Sequence, residues 1–236
     1  MKKTLAITIL VFGVLFFSTS AYSLPLLQLD VSDGTYDDAT ETVFSVGDSF
    51  TLYTLLNDSN NKAGLDDTYY VTASLVPQWE TDGDYGSFVF DGETVDVTDS
   101  MTYGTPPGLQ THSIFPTFYW ENEFTFDPAN TTAEYNSQDD PGALDPSGTD
   151  LYYAAFDVDL SNFAPPAGEE WSIHFDLYTK DANGDADYTA PFSHDAQSIT
   201  VTNTPLPPSV PEPATMLLLG TGLIGLGWTG RRRKTK

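Results

Sequence analysis

Oxygen-bearing side chains at alternate positions form the clearest candidate ion site in this sequence. Asp181, Asn183, Asp185 and Asp187 stand two residues apart around a glycine. Oxygen ligands spaced in this way on a tight turn can converge on Ca²⁺. The segment departs from the EF-hand loop, because its glycine comes earlier than the sixth position and its twelfth position is not Glu. It therefore predicts a generic Ca²⁺ turn, with an ordinary hairpin turn as the alternative, since Asn-Gly and Asp are common turn residues.

Catalytic side chains are harder to find. The three histidines, His112, His174 and His194, lack a metal-ligand spacing such as H-x₃-H. His174 lies on the polar face of a predicted strand, which favours a surface or sheet-packing role. No G-x-S-x-G elbow is present, and the absence of cysteine excludes thiolate chemistry and disulfides. Acidic pairs suited to glycoside hydrolysis carry no information where acids are so abundant. The sequence predicts no catalytic residue and no enzyme.

Charge is distributed very unevenly along the chain. Between residues 24 and 210 the basic residues are Lys62 and Lys180, against 33 acidic ones, which leaves a formal charge of −31. Such a segment repels nucleic acid and anionic lipid, so neither is an expected partner. The charge serves either to attract divalent cations or to keep an exported protein soluble.

The N-terminal segment reads as a signal peptide over residues 1–23. Lys2 and Lys3 form a basic start, and an apolar stretch follows. Ala21 and Ser23 then fit the small-residue positions of a cleavage site. This pattern predicts export of everything that follows, with residues 24–203 as an acidic domain.

The C-terminal segment has three parts in a fixed order. Residues 204–213 form a proline-rich linker, residues 214–230 form an apolar glycine-rich run, and residues 231–236 are mostly basic. As a helix, the apolar run would be about 25 Å long, the short limit for crossing a bilayer. The basic residues that would stop transfer and stay in the cytoplasm are Arg231, Arg232 and Arg233. The sequence thus predicts a transmembrane helix with the acidic domain outside.

The order of these parts resembles a PEP-CTERM sorting domain over residues 209–234. The motif itself reads Val210, Pro211, Glu212 and Pro213. The resemblance implies a Gram-negative exporter, in which the membrane peptidase exosortase recognises the motif and removes the helix. These residues would then be recognition residues on a substrate. Exosortase is the implied partner, and the inner membrane holds the protein during transit.

The acidic domain is similar to the type-N choice-of-anchor surface proteins, a resemblance that brings no activity with it. The stretches that carry it are Leu24–Asp30, Thr68–Tyr70, Tyr103–Pro107, His174–Lys180 and Pro191–Ala196.

Period-two alternation of apolar and polar residues recurs within the acidic domain. It is clear over residues 118–127, 152–160 and 171–178. Alternation of this kind indicates strands with one buried face, and Gly, Pro, Asn and Asp separate about ten such segments. The predicted fold is therefore all-β, an antiparallel β-sandwich of jelly-roll or Ig-like type, with a signal helix before it and a transmembrane helix after it.

These features predict an exported cell-surface or extracellular-matrix protein with a structural or interaction role and no cofactor apart from the candidate Ca²⁺. One alternative is a module that binds carbohydrate or Ca²⁺, with extracellular polysaccharide as a partner. The aromatic residues expected outside the core are Tyr85, Tyr103, Tyr119 and Tyr178. A second alternative is a secreted glycoside hydrolase.

Overall fold

A computed structural model describes residues 24–60, 62–109 and 112–203. In these residues short strands dominate, and the only helices are two 3₁₀ turns at Asp58–Asn60 and Phe192–His194. The strands are β1 (Leu27–Val31), β2 (Thr35–Asp37), β3 (Thr42–Phe44), β4 (Ser49–Leu56), β5 (Tyr69–Val76), β6 (Ser87–Phe90), β7 (Glu93–Asp96), β8 (Thr102–Gly104), β9 (Thr117–Phe124), β10 (Thr131–Thr132), β11 (Leu151–Asp159), β12 (Glu170–Lys180), β13 (Ala186–Thr189), β14 (Asp195–Gln197) and β15 (Val201–Thr202).

The strands form two sheets. The first has the order β1-β4-β11-β6-β7, with β10 also paired to β11. The second has the order β2-β3-β14-β12-β5-β9-β8, with β13 and β15 also paired to β12. Neighbours are antiparallel except for β3 and β14, which run parallel. The all-β sandwich prediction is confirmed, with this one parallel pair as a departure from a purely antiparallel sheet.

Apolar side chains from facing strands fill the space between the sheets. On β12, Trp171, Ile173, Phe175 and Leu177 alternate toward this core and are almost completely buried. The Phe175 ring meets Phe50 of the opposite sheet edge-on, with 6.1 Å between ring centroids. Alternation along one strand thus predicts its inner face correctly, because only that face packs against the other sheet.

The outer face of β12 is also buried, which simple alternation does not predict. Ser172 to Thr179 are all buried along the strand. A second apolar cluster of Leu109, Phe115 and Tyr178 covers this face, with two of its members coming from the connection between β8 and β9. Polar side chains on the outer face are therefore enclosed instead of solvated.

Both terminal segments lie outside the described residues. These are the signal peptide at residues 1–23 and the linker, apolar run and basic end at residues 204–236. Within residues 24–60, 62–109 and 112–203, no helix is long and apolar enough to span a bilayer.

Candidate functional site

Two histidines and two aspartates meet on the covered outer face of the second sheet. His174 and Asp176 are two residues apart on β12 and so share a face. Asp195 begins β14, the neighbouring strand, and His112 comes from the connection before β9. We call His112, His174, Asp176 and Asp195 the His/Asp cluster. Only the His112 side chain keeps noticeable exposure, at 12%.

The polar atoms of the cluster lie close together, but they make only one direct hydrogen bond. His112 Nδ1 is 2.8 Å from Asp176 Oδ1. His174 Nε2 lies 3.6 Å from both Asp176 Oδ1 and Asp195 Oδ2, and His112 Nε2 lies 3.9 Å from Asp195 Oδ2. These three separations are too long for hydrogen bonds. His174 Nε2 is accordingly buried without a hydrogen-bond partner.

Neighbouring side chains hold the cluster in place. Gln197 Oε1 is 3.3 Å from His174 Nδ1, and the Gln197 amide donates to Ser172 Oγ at 2.7 Å. The Thr72 hydroxyl donates a hydrogen bond to Asp176 Oδ2 at 3.1 Å. Because an amide oxygen can only accept, the His174 proton resides on Nδ1 in the neutral ring, and Nε2 then presents its lone pair to the cluster.

Burial and mutual attraction act in opposite directions on these groups. Burial disfavours the charged form of His174, but Asp176 and Asp195 outweigh it and raise the pKa of His174 to about 10. Burial likewise opposes the Asp176 carboxylate, yet His174 and His112 hold its pKa below the ordinary value. For Asp195, burial prevails and raises the pKa. The cluster therefore favours a positive charge among its carboxylates.

The surroundings of the cluster leave room for little more than an ion. The Phe192 ring stacks on the His112 ring, with 4.6 Å between centroids. A cavity of about 70 Å³ borders His112 and Asp176 under Leu109 and Phe192. Pockets for organic ligands usually measure about 300–1,000 Å³. The dimensions thus suit an ion better than an organic substrate.

Sequence reasoning missed this cluster. It identified the histidines but assigned His174 to the surface or to sheet packing and found no spacing that linked the three. The signal that could have been used is His174-x-Asp176, two side chains of metal-ligand type on one strand face. His112 and Asp195 come from distant segments, so only the fold brings them together. The third histidine, His194, lies outside the cluster and hydrogen-bonds to Asn136 Oδ1 at 2.9 Å.

The predicted Ca²⁺ turn folds as a hairpin turn between β12 and β13. Asp181 Oδ1 accepts hydrogen bonds from the backbone N–H groups of Asn183 at 2.8 Å and Asp185 at 3.0 Å. These bonds lower the pKa of Asp181. In the described part of the chain, three or more His, Asp or Glu side chains come close enough to share a metal ion only in the His/Asp cluster, and the turn is not part of it. Ca²⁺ binding by Asp181, Asn183, Asp185 and Asp187 stays a prediction.

The tyrosines expected outside the core have different environments. Tyr103 is 45% exposed, whereas Tyr178 is fully buried. The Tyr178 hydroxyl bonds to Glu121, which also pairs with Lys180. Tyr85 packs edge-on against Trp171 at 5.0 Å between centroids, as a half-buried residue at the edge of the core. The expectation for Tyr178 was wrong, because the outer face of the sheet is covered, whereas Tyr85 lies in the loop before β6 and is half-buried.

One acidic residue of the first sheet, Asp30 on β1, is buried. Asp30 is fully buried and accepts hydrogen bonds from Tyr135 Oη at 2.7 Å, Val31 N at 2.8 Å and Gly142 N at 2.9 Å. Burial raises the pKa of Asp30 to about 6 although these bonds oppose the shift. Because the folded pKa exceeds the unfolded value of 3.8, this group's contribution to stability falls as the pH rises from about 4 through about 6.

The Tyr135→Phe variant should therefore be more costly at high pH. At pH 8 it removes a donor to a buried carboxylate, and we expect a loss of about 1.5–3 kcal/mol in the free energy of unfolding. At pH 5 Asp30 is mostly neutral, and the loss should fall to about 0.5–1.5 kcal/mol. Urea unfolding at the two pH values measures both. Tyr153→Phe is the control, and an equal cost for Tyr135→Phe at both pH values would contradict the account.

The sorting residues Val210, Pro211, Glu212 and Pro213 lie outside the described residues, as does the membrane stop at Arg231–Arg233. The family model of the PEP-CTERM protein-sorting motif matches residues 209–234. This match confirms the resemblance read from the order of linker, apolar run and basic end. A PEP-CTERM tail indicates export and membrane-associated sorting to the cell surface. No curated protein matches the chain.

Several solved structures are similar to the chain at very low identity. The structure titled "AvmM Catalyzes Macrocyclization in Alchivemycin A Biosynthesis" is 10% identical, with a TM-score of 0.34 over 78% of this chain and 92% of that one. The collagen-binding subdomain of the Enterococcus faecalis surface protein ACE is 9% identical, with a TM-score of 0.25 over 75% and 99%. A collagen-binding domain from a Staphylococcus aureus adhesin is 8% identical, with a TM-score of 0.23 over 77% and 100%. These low TM-scores carry no argument about function.

Proposed function

We propose that this chain, which carries a PEP-CTERM protein-sorting motif, is an exosortase substrate whose β-sandwich is displayed at the cell surface or in the extracellular matrix. In this proposal the apolar run of residues 214–230 holds the protein in the inner membrane, and Arg231–Arg233 remain in the cytoplasm. Exosortase recognises Pro211-Glu212-Pro213 and removes the helix. The single observation that carries the proposal is the family match at residues 209–234.

We propose a structural or interaction role without catalysis for the displayed domain. Two features support it. The His/Asp cluster, which has the side chains most suited to chemistry, is enclosed beside a cavity of only about 70 Å³. The remaining acidic residues are mostly exposed and spread over many strands and turns, as expected of a solvated surface that keeps an exported protein soluble.

Treatment of intact cells with a protease tests the display of the domain. We expect residues 24–203 to be cleaved from intact cells of the native host, while a cytoplasmic marker protein survives. Full protection of the domain in intact cells, with digestion only after the cell envelope is opened, would contradict surface display.

A surface depression favours a second candidate, in which the domain binds carbohydrate or Ca²⁺. It measures about 750 Å³ and is lined by Asp66, Asp67, Lys180, the 181–184 turn and Tyr188, among others. Acidic and amide groups beside tyrosine rings can hydrogen-bond and stack on sugars, and their oxygens can bind Ca²⁺. A glycan array probed with the purified full chain tests the sugar, and extracellular polysaccharide is the expected class.

Thermal melts separate a specific Ca²⁺ site from simple screening. The acidic domain repels itself, so NaCl should stabilise it modestly. If the Asp181–Asp187 turn binds Ca²⁺, millimolar CaCl₂ should raise the Tm beyond NaCl at equal ionic strength. The additional rise should vanish in Asp185→Asn with Asp187→Asn and persist in Glu93→Gln with Glu169→Gln, which removes two exposed carboxylates elsewhere. Equal Tm values in the two salts would exclude a specific site.

A further inference from the structure

We infer that the His/Asp cluster is a binding site for one divalent transition-metal ion of the Zn²⁺ type. The ligands are His174, His112, Asp176 and Asp195, each of which can offer one atom within 4.8 Å of the others. This site differs from the candidate Ca²⁺ turn in residues, burial and ligand type. It goes beyond sorting and display, and it does not depend on them.

The spacing of the ligand atoms fits an ion between them. His174 Nε2 is 3.6 Å from each carboxylate oxygen, and His112 Nε2 is 3.9 Å from Asp195 Oδ2. Four ligands at about 2.1 Å from a tetrahedral ion lie about 3.4 Å apart. These three separations are within about half an ångström of that value, and they are too long for hydrogen bonds. The His112 Nδ1–Asp176 Oδ1 hydrogen bond of 2.8 Å leaves Nε2 as the His112 atom that faces the ion.

An unsatisfied buried atom points into the same gap. His174 is 3% exposed, and its Nε2 has no hydrogen-bond partner. Buried polar atoms are almost always satisfied, so an orphan of this kind needs an explanation. Gln197 is bonded to Nδ1, so an ion that displaces the Nε2 proton meets a lone pair already oriented for a metal bond. An outer hydrogen bond of this sort is the usual support of a histidine ligand.

Charge and ligand type point to a transition metal. Once an ion has displaced the ring proton, two carboxylates and two neutral imidazoles carry two negative charges in an enclosed space, and a divalent cation balances them. Imidazole nitrogens suit Zn²⁺, Cu²⁺, Fe²⁺ and Ni²⁺, whereas Ca²⁺ takes six to eight oxygen ligands. The cluster offers two nitrogens and two carboxylates, which is a poor match to the all-oxygen shell that Ca²⁺ prefers.

The ion would join three segments that are distant in the sequence. His112 belongs to the connection that covers the outer face of the second sheet, His174 and Asp176 belong to β12, and Asp195 begins β14. An ion bound only by the folded chain stabilises that state by mass action. The bound ion would therefore hold the connection between β8 and β9 against the second sheet, which is a structural role.

Metal titration of the purified full chain, in detergent and without a histidine tag, tests the site. After chelator treatment we expect one equivalent of Zn²⁺ to bind, with a higher Tm in micromolar ZnCl₂ and no such rise in micromolar CaCl₂. Co²⁺ should give the intense visible absorption of a tetrahedral site with nitrogen and oxygen ligands. His174→Gln and Asp195→Asn should each weaken Zn²⁺ binding more than about tenfold.

His194→Gln is the matched control, because His194 is also buried, lies beside Asp195 in the chain and is outside the cluster. It should keep the wild-type affinity. If a cluster variant fails to fold, the Co²⁺ spectrum of the wild-type chain still decides the question. Wild-type protein that binds neither Zn²⁺ nor Co²⁺ would overturn the proposal and leave an internal network of ion pairs. Zn²⁺ binding lost in His194→Gln but kept in His174→Gln would also overturn it.

Discussion

Replacing Pro211, Glu212 and Pro213 by alanine should leave the whole tail on the protein and hold it in the inner-membrane fraction. The motif ends the proline-rich linker and directly precedes the apolar run, where the proposed membrane peptidase would meet it. If the proposed sorting holds, the peptidase loses its recognition element without the motif, while the apolar run and basic end would still anchor the chain. Cell fractionation with antibody against the acidic domain should show loss of essentially all surface protein.

A matched variant in the same linker controls for the loss of prolines. Pro205→Ala, Pro207→Ala and Pro208→Ala together remove three prolines but leave the motif intact. This variant should be sorted like the wild type. If both triple variants reach the surface normally, the motif has no role in sorting, and if both stay in the membrane, linker stiffness is the cause instead of recognition.

Replacing Trp171 by alanine should reduce the free energy of unfolding by about 3–5 kcal/mol. Trp171 is fully buried, and its ring lies 4.7 Å from Trp79 and 5.0 Å from Tyr85 between centroids. Deleting it removes apolar area and leaves a cavity among rings that cannot all move inward. A domain of this size should lose roughly 6–20 °C of Tm, as measured by circular dichroism.

Two further variants show whether packing is the cause. Trp171→Phe keeps one six-membered aromatic ring and removes the second ring of the indole, whose N–H has no hydrogen-bond partner in the described structure. It should therefore cost much less than Trp171→Ala. Val46→Ala changes a side chain that is 66% exposed and should have an effect within about 0.5 kcal/mol. A Trp171→Ala protein as stable as the wild type would contradict the assignment of the core.

The longer strands, in which apolar and polar residues alternate, could be predicted from the sequence. The alternating segments at residues 118–127, 152–160 and 171–178 agree with β9, β11 and β12 to within about three residues at each end. Alternation on β12 also gives Trp171 and Phe175 as core residues, as observed. The pattern works there because the side chains at every second position lie on the inner face of the strand and pack into the apolar layer between the two sheets.

The shorter strands and the covered face could not be predicted in this way. The strands β2, β3, β8 and β14 have three residues each, too few to show a period, and their pairing depends on partners far away in the chain. The outer face of β12 is buried by Leu109 and Phe115, which local alternation does not reveal. The His/Asp cluster escaped for the same reason, since its four members come from three separate segments.

The C-terminus of the surface-exposed protein from the native host is the most direct test of the central claim. Intact cells are labelled with a membrane-impermeant reagent, the labelled protein is isolated, and its terminal peptide is identified by mass spectrometry. We predict that the mature chain ends near Pro213 and that the same protein made in a host without exosortase keeps its tail in the membrane. An intact Trp228–Lys236 peptide in the labelled protein would contradict processing and leave simple membrane anchoring.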